Sequence, residues 1–251
     1  MKILKSLFLF ISIYVAFMGC SKKNDPVVLV CYVETYSYDD GSYNGTETYT
    51  YASNKVVKII SSSSGTTSTY NYSYDSQGRL ISFASSSTNG SSTSIDNGTF
   101  TYDTKGRIIQ KISTSFKTVF TYNSFDQVIT KDYYTNSNST FTPYYSSAYT
   151  YPTTNTKNYS TQMDYNASNT IQTITFLYDT KQNPEALLFP DNQEPTNNLT
   201  QATYQFPGSS NQSNVFTYTY IYNANGFPLT VTEKNDHGYT KNSTYSYTNC
   251  K

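Results

Sequence analysis

One histidine, three cysteines, five glutamates and twelve aspartates could do acid–base, nucleophilic or metal chemistry in this 251-residue sequence. Their spacing assembles no familiar catalytic constellation. A Ser-His-Asp relay, or most zinc sites, would have to run through His237, and it stands in Asn235-Asp236-His237-Gly238, a run of turn formers. The glutamates are scattered, so spacing nominates no carboxylate pair of the kind that cleaves glycosidic bonds. Asp39-Asp40-Gly41 is too short for a calcium loop, and no Asp-x-Asp-x-Asp-Gly run occurs. The expectation is a non-enzymatic protein with no cofactor and no metal.

What remains is aromatic: 28 tyrosines and 14 phenylalanines, with no tryptophan. Rings at every second position of a strand share one face. Such a face can stack on sugars or peptides, because tyrosine offers a flat apolar ring and a hydroxyl. It can equally be the core of a protein with little Leu and Val to fill it. The larger share of the tyrosines reads as core and the exposed remainder as a binding surface. The two arginines, Arg79 and Arg107, are either a pair of anion anchors or strand-edge cations lying over tyrosine rings.

The elements that position these residues are repeats. Tyr72-Ser73-Tyr74-Asp75-Ser76-Gln77-Gly78-Arg79-Leu80-Ile81 returns as Phe100-Thr101-Tyr102-Asp103-Thr104-Lys105-Gly106-Arg107-Ile108-Ile109. Looser copies start at Phe120, Phe176 and Tyr220. Each copy reads as a strand, a tight turn and a returning strand. Asp75 and Asp103 would accept a hydrogen bond from the backbone two residues on, and Gly78 and Gly106 would supply the positive φ of a type I turn with a bulge. Asp179, in the fourth copy, reads as a turn former in the same way.

Alternating segments of this kind run from Val27 to Tyr247 and total about 15 strands. Ser82 to Ser94 reads as a polar connection and Asn136 to Thr140 as a loop. Asn183 to Pro190 could form one helical turn, and Asp191 to Asn198 reads as a loop packed over one end of the sheet. The fold class is all-β: an antiparallel up-and-down meander curled into a barrel or half-barrel, aromatic on one face and Ser/Thr on the other.

The chain begins with Lys2, Lys5 and an apolar run from Leu7 to Met18 that is short for a membrane span, so residues 1–19 read as an export signal. Phe17-Met18-Gly19-Cys20 resembles a lipobox, which makes Cys20 the expected lipid anchor and 20–26 a polar tether before a single domain, 27–251. An ordinary signal peptide cleaved elsewhere is the alternative. Cys31 and Cys250 are then left, one at each end of the domain. In an oxidising envelope they either bridge or stay as two free thiols. Without residues 1–19 the chain carries 15 basic and 17 acidic residues, with no basic patch, so nucleic acid is not an expected partner.

The Tyr-x-Tyr-Asp-x-x-Gly-Arg-Leu/Ile units resemble the tyrosine-aspartate repeats of Rhs-type proteins. Taken with the lipobox, Asn183-Pro184, Asn197-Asn198 and Tyr222-Asn223-Ala224-Asn225-Gly226-Phe227-Pro228, the chain resembles more closely a Bacteroides-type lipoprotein family of unknown function with a porin-like fold. That resemblance implies one curled antiparallel sheet and an outer-membrane lipoprotein facing the periplasm or the cell surface. The partners expected are the membrane through the lipid, and a glycan, a peptide or another envelope protein. It implies no activity.

Overall fold

The computed structural model describes residues 31–166, 169–189, 193–208 and 213–250. The expected signal segment 1–19, the tether 20–26 and Cys20 lie outside these. The strands are β1 (Tyr32–Asp39), β2 (Asn44–Ala52), β3 (Lys55–Ser63), β4 (Thr66–Tyr74), β5 (Leu80–Asn89) and β6 (Ser92–Tyr102). They continue as β7 (Ile108–Ser113), β8 (Phe116–Tyr122), β9 (Val128–Ser137), β10 (Thr140–Thr150) and β11 (Thr161–Asn166). The last five are β12 (Asn169–Gln182), β13 (Asn197–Gln205), β14 (Ser213–Tyr222), β15 (Pro228–Asn235) and β16 (Thr240–Thr248). Every strand pairs antiparallel with its chain neighbours, and β1 pairs with β16, which closes the barrel. Closure removes the two unpaired edges that an open meander would expose.

Among the described residues sixteen strands form where about fifteen were expected. Two of the differences come from Ser-rich sequence. The connection read at Ser82 to Ser94 is most of β5 and the start of β6, paired Ser87↔Ser94 and Thr88↔Thr93. Its serines lack β-propensity, but ladders on both sides supply what the side chains do not. β11 was not anticipated at all. The loop read at 136–140 shrinks to a turn at Asn138 and Ser139, both at positive φ. Asp179 lies inside β12, at a register shift, and not in a hairpin turn, but its carboxylate accepts from the amide two residues on, Lys181, at 2.8 Å as in the other copies.

Alternation decides which face each side chain takes. On β2, Thr46, Thr48 and Thr50 face solvent while Glu47, Tyr49 and Tyr51 point inward. On β14, Thr217, Thr219 and Ile221 face solvent, and Tyr218, Tyr220 and Tyr222 point inward. The outer wall is thus rich in Thr and Ser, and the lumen is lined by rings.

The hairpins divide the barrel into two ends. Five short turns, from 40–43 to 138–139, and the 236–239 turn mark one end, here called the mouth. The repeat corners, the long connections 151–160 and 183–196, and both Cys31 and Cys250 mark the other, the base. At the base the sulfurs of Cys31 and Cys250 are bonded, joining the two strands of the closing seam.

Each repeat corner uses its Asp as expected from the local chemistry. The Asp75 carboxylate accepts from the Gln77 and Arg79 amides at 3.0 and 2.9 Å. Asp103 repeats this with Lys105 and Arg107, both at 2.9 Å. Gly78 and Gly106 sit at φ +81° and +80°. The third copy lacks the glycine, and Asp126 takes the left-handed position at φ 61°, a conformation that Asp tolerates better than most residues. At Gly78 an added Cβ would also meet the Lys55 Cε at 2.8 Å. Gly78→Val should therefore lower stability by about 1–3 kcal/mol, read as a shift in the denaturant midpoint at unchanged slope.

A belt of tyrosines ties consecutive corners together. Tyr74 pairs with Leu80 across its own hairpin and donates its hydroxyl to the Val56 carbonyl of the preceding one, at 2.6 Å. Tyr102 does the same to Leu80, Tyr122 to Ile108 and Tyr151 to Val128, at 2.7–2.9 Å. Tyr51, Tyr220 and Tyr247 extend the belt, through the carbonyls of Val33, Leu199 and Pro228. The tyrosines that precede Asp75, Asp103 and Asn123 are thus staples to the hairpin before each. Because Pro228 is fully buried, Tyr247→Phe leaves its carbonyl without that donor. A loss of about 1–2 kcal/mol is expected in chemical unfolding.

Candidate ligand-binding site

The base of the barrel is occupied by its own connections. Of the loop expected at 191–198, residues 191 and 192 lie outside the described residues and 197–198 begin β13. The described part of the 183–196 connection lies at the base and enters the lumen. Its 3-10 turn Glu185–Leu187 is followed by Phe189, whose ring meets Tyr72 edge-on at 4.9 Å. Glu185 is held above the ordinary glutamate range, mainly by burial and then by repulsion from Glu194 and Glu47. The Tyr245 hydroxyl donates to it at 3.4 Å. On the 151–160 side, Tyr159 packs against Tyr149 at 4.9 Å and Phe176 at 5.0 Å.

The paired arginines belong to this base. Arg79 Nε donates to Asp75 at 2.7 Å, with its guanidinium 5.1 Å from the centre of the Tyr102 ring. Arg107 contacts Asp103 at 2.6 Å and Asp126 at 2.7 Å, and lies 4.5 Å from the centre of the Tyr122 ring. Each guanidinium is engaged by the corner's own carboxylate and by the ring of the next repeat. Asp75, Gly78, Arg79, Asp103, Gly106 and Arg107 are therefore brought together as corners, away from the mouth. The amides that Arg79 and Arg107 present hold the Asp75 and Asp103 carboxyls below the usual carboxylate range. A depressed folded pKa gives stability that is complete above the unfolded value, about pH 4, and is lost as pH falls through the folded one. Acid titration of the thermal midpoint should show a decline that begins near pH 4, and it should be smaller in the double variant Asp75→Asn, Asp103→Asn.

One open volume lies toward the mouth, on the side formed by β4 to β10, and a smaller one of about 200 Å³ lies across the lumen beside Glu185, Tyr220 and Lys241. The mouth cavity, of about 450 Å³, is lined by Tyr70, Phe83, Phe116, Tyr133, Tyr134 and Tyr144, with Asp96, Lys111 and Lys117, the last lying over the Tyr134 ring at 3.9 Å. Phe116 and Tyr144 remain 52% and 45% exposed, so ring faces are available to a ligand. Tyr133, Tyr144 and Tyr145 form a ring cluster with centroids 5.4–6.5 Å apart. Burial raises the pKa of Tyr133 and Tyr145 further above neutrality, where a phenol is already a hydrogen-bond donor.

Lys111 stands opposite Phe100 in the ladder, on the inward face. Its Nζ lies 4.8 Å from the centre of the Phe83 ring and 5.9 Å from that of Phe100. A deeper cavity of about 280 Å³ continues from Lys111 to Lys131, Phe120 and Glu194. Burial lowers the pKa of both lysines, against Asp96 in one case and Glu194 in the other. In the neighbouring wall Asp164 of β11, fully buried, accepts from Ser147 at 2.7 Å, Gln162 at 2.8 Å and Gln172 at 2.6 Å.

Sequence reasoning did not single out Phe83, Phe116, Lys111 or Lys131. Phe83 was read into a connection. Lys111 and Lys131 are marked only by their parity with the inward positions Phe100 and Phe120. His237 sits at an exposed turn at the mouth, with Nδ1 2.8 Å from Asp236.

No family model matches the sequence, and no curated protein matches it. Among solved structures the chain is similar to a porin-like protein from Bacteroides uniformis, with 12% identity over 86% of this chain and 98% of that one, at a TM-score of 0.44. It is also similar to a porin-like protein from Bacteroides vulgatus, with 9% identity over 87% and 99% of the two chains, again at 0.44. The sixteen-stranded closure described above stands on the ladder registers themselves.

Proposed function

We propose that this chain is a non-enzymatic, lipid-anchored protein of the cell envelope that holds a glycan or a peptide against the rings at the mouth of its barrel. The observation that carries the reading is the ring-lined cavity of about 450 Å³ with half-exposed Phe116 and Tyr144 at its rim. A mostly apolar concavity with a few convergent polar groups is the usual form of a ligand site. The sole histidine, which a relay would need, stands at an exposed turn and not in this cavity.

Anchoring at Cys20 is supported by the lipobox-like Phe17-Met18-Gly19-Cys20. Cys31 lies at the base, so a lipid on Cys20 would tether that end through at most about 40 Å of chain, leaving the mouth on the far side. The Thr/Ser-rich outer wall favours an anchored barrel over a membrane-spanning one, whose outer face carries an apolar band about 25 Å tall.

A glycan array and a pull-down from envelope extracts test the reading. Saturable binding of one glycan or peptide class, weakened about tenfold or more by Phe116→Ala with Tyr144→Ala, is the expected result. Stable co-purification of one protein, undiminished in that double variant, would assign the chain to assembly instead. Mass spectrometry of the mature amino terminus tests the anchor, and an unacylated terminus beyond Cys20 would end it.

A further inference from the structure

We propose that the mouth cavity selects an anionic oligosaccharide, carboxylated or sulfated, and that Lys111 reads its charge. This rests on the binding-protein reading above and names the ligand class of the same site.

The argument starts from charges left over on the inner wall. Lys241 also points inward, but it reaches Glu233 at 3.6 Å. Lys111 and Lys131 have no carboxylate within ion-pair distance among the described residues. Asp96, the acid beside Lys111, is already held by the Thr114 amide at 3.1 Å and by the Thr114 hydroxyl. Lys131 lies over the Tyr149 ring at 5.3 Å, with Glu194 acting on it from the 183–196 segment. A ring face attracts an ammonium but does not neutralise it. A cation in a partly dehydrated cavity without an anion is costly, and a ligand anion relieves that cost.

Lys111 borders both the mouth cavity and the deeper one, so a ligand entering from the mouth meets it. A sugar ring stacked on the exposed Phe116 or Tyr144 would bring a carboxylate or sulfate into the cavity that Lys111 borders. The fold favours a saccharide over an acidic peptide for a topological reason. Peptides are often read by adding a strand to a free sheet edge, and a closed barrel has no free edge. Ring stacking and phenol hydrogen bonds remain, and these suit sugars.

The test uses the purified full chain in detergent on an array of uronate-containing, sialylated and sulfated oligosaccharides, each beside a neutral counterpart of the same ring skeleton, with poly-glutamate peptide as a control. Positive glycans are then titrated by calorimetry. At least one acidic glycan should bind tenfold or more tighter than its neutral partner, and whether it comes from the carboxylated or the sulfated set identifies the anion. Lys111→Met should abolish the preference, and Lys111→Arg, which keeps the charge and guards against misfolding, should retain it. Equal binding of acidic and neutral partners, or a preference that survives Lys111→Met, overturns the charge assignment and leaves the ring site standing. Binding of poly-glutamate with no glycan binding overturns the saccharide. Binding of nothing on the array, with protein co-purification intact, overturns both this inference and the reading beneath it.

Discussion

Replacing Cys31 and Cys250 by serine will lower the stability of this protein by about 2–5 kcal/mol, and addition of reductant to the native chain will do the same. The bond joins residues 219 apart in sequence, so nearly the whole domain is the loop it closes. Constraining a loop of that span in the unfolded chain is worth about 5 kcal/mol in the chain-entropy treatment. Residual denatured-state structure lowers that figure, hence the range. For a domain of this size the thermal midpoint should fall by about 5–15 °C. Scanning calorimetry with and without reductant measures it directly, and an unchanged midpoint would mean that the β1–β16 ladder closes the seam unaided. The seam lies away from the β4–β10 wall of the mouth cavity, so ligand affinity below the transition should not change.

Gly98→Val is expected to cost about 3 kcal/mol and to abolish ligand binding together with stability. Gly98 lies inside β6, opposite Phe83 in the ladder, and the Phe83 ring occupies the space where a side chain would stand. A Cβ there would fall 2.2 Å from the ring and 2.7 Å from the Ile112 carbonyl oxygen. The ring could swing away, but the carbonyl belongs to the β-ladder region of β7 and cannot move without disturbing pairing. Phe83 is also the ring nearest to Lys111, so displacing it breaks into the proposed site. Urea unfolding and glycan titration of the variant provide the two readouts. Wild-type values in both would show that Phe83 is mobile and that the glycine is incidental.

These two residues mark where reading from sequence stops. The sequence singled out Gly78 and Gly106 because a tight turn is local: Asp, Gly and Arg within five positions specify it, and the structure places each at a corner. Asp126 in the third copy shows the same corner made without glycine. Gly98 carries no such local sign. Its role depends on Phe83, and Phe83 was hidden in a serine-rich stretch whose strand character comes from the ladders on either side.

The chain by itself determined the all-β class, the corners, the direction in which alternate side chains face and the presence of two cysteines near the domain ends. Those features follow from period-two geometry and from hydrogen bonds spanning four residues or fewer. The tertiary structure decided that β1 meets β16 and that Tyr74, Tyr102 and Tyr122 are stapled to the hairpin before each. It also decided that Phe189 of the 183–196 connection reaches Tyr72 in the lumen, and that Lys111 faces rings with no carboxylate at ion-pair distance among the described residues. Each of these depends on register between strands distant in sequence, and register is set by the pairing of whole ladders and not by any residue's own preference.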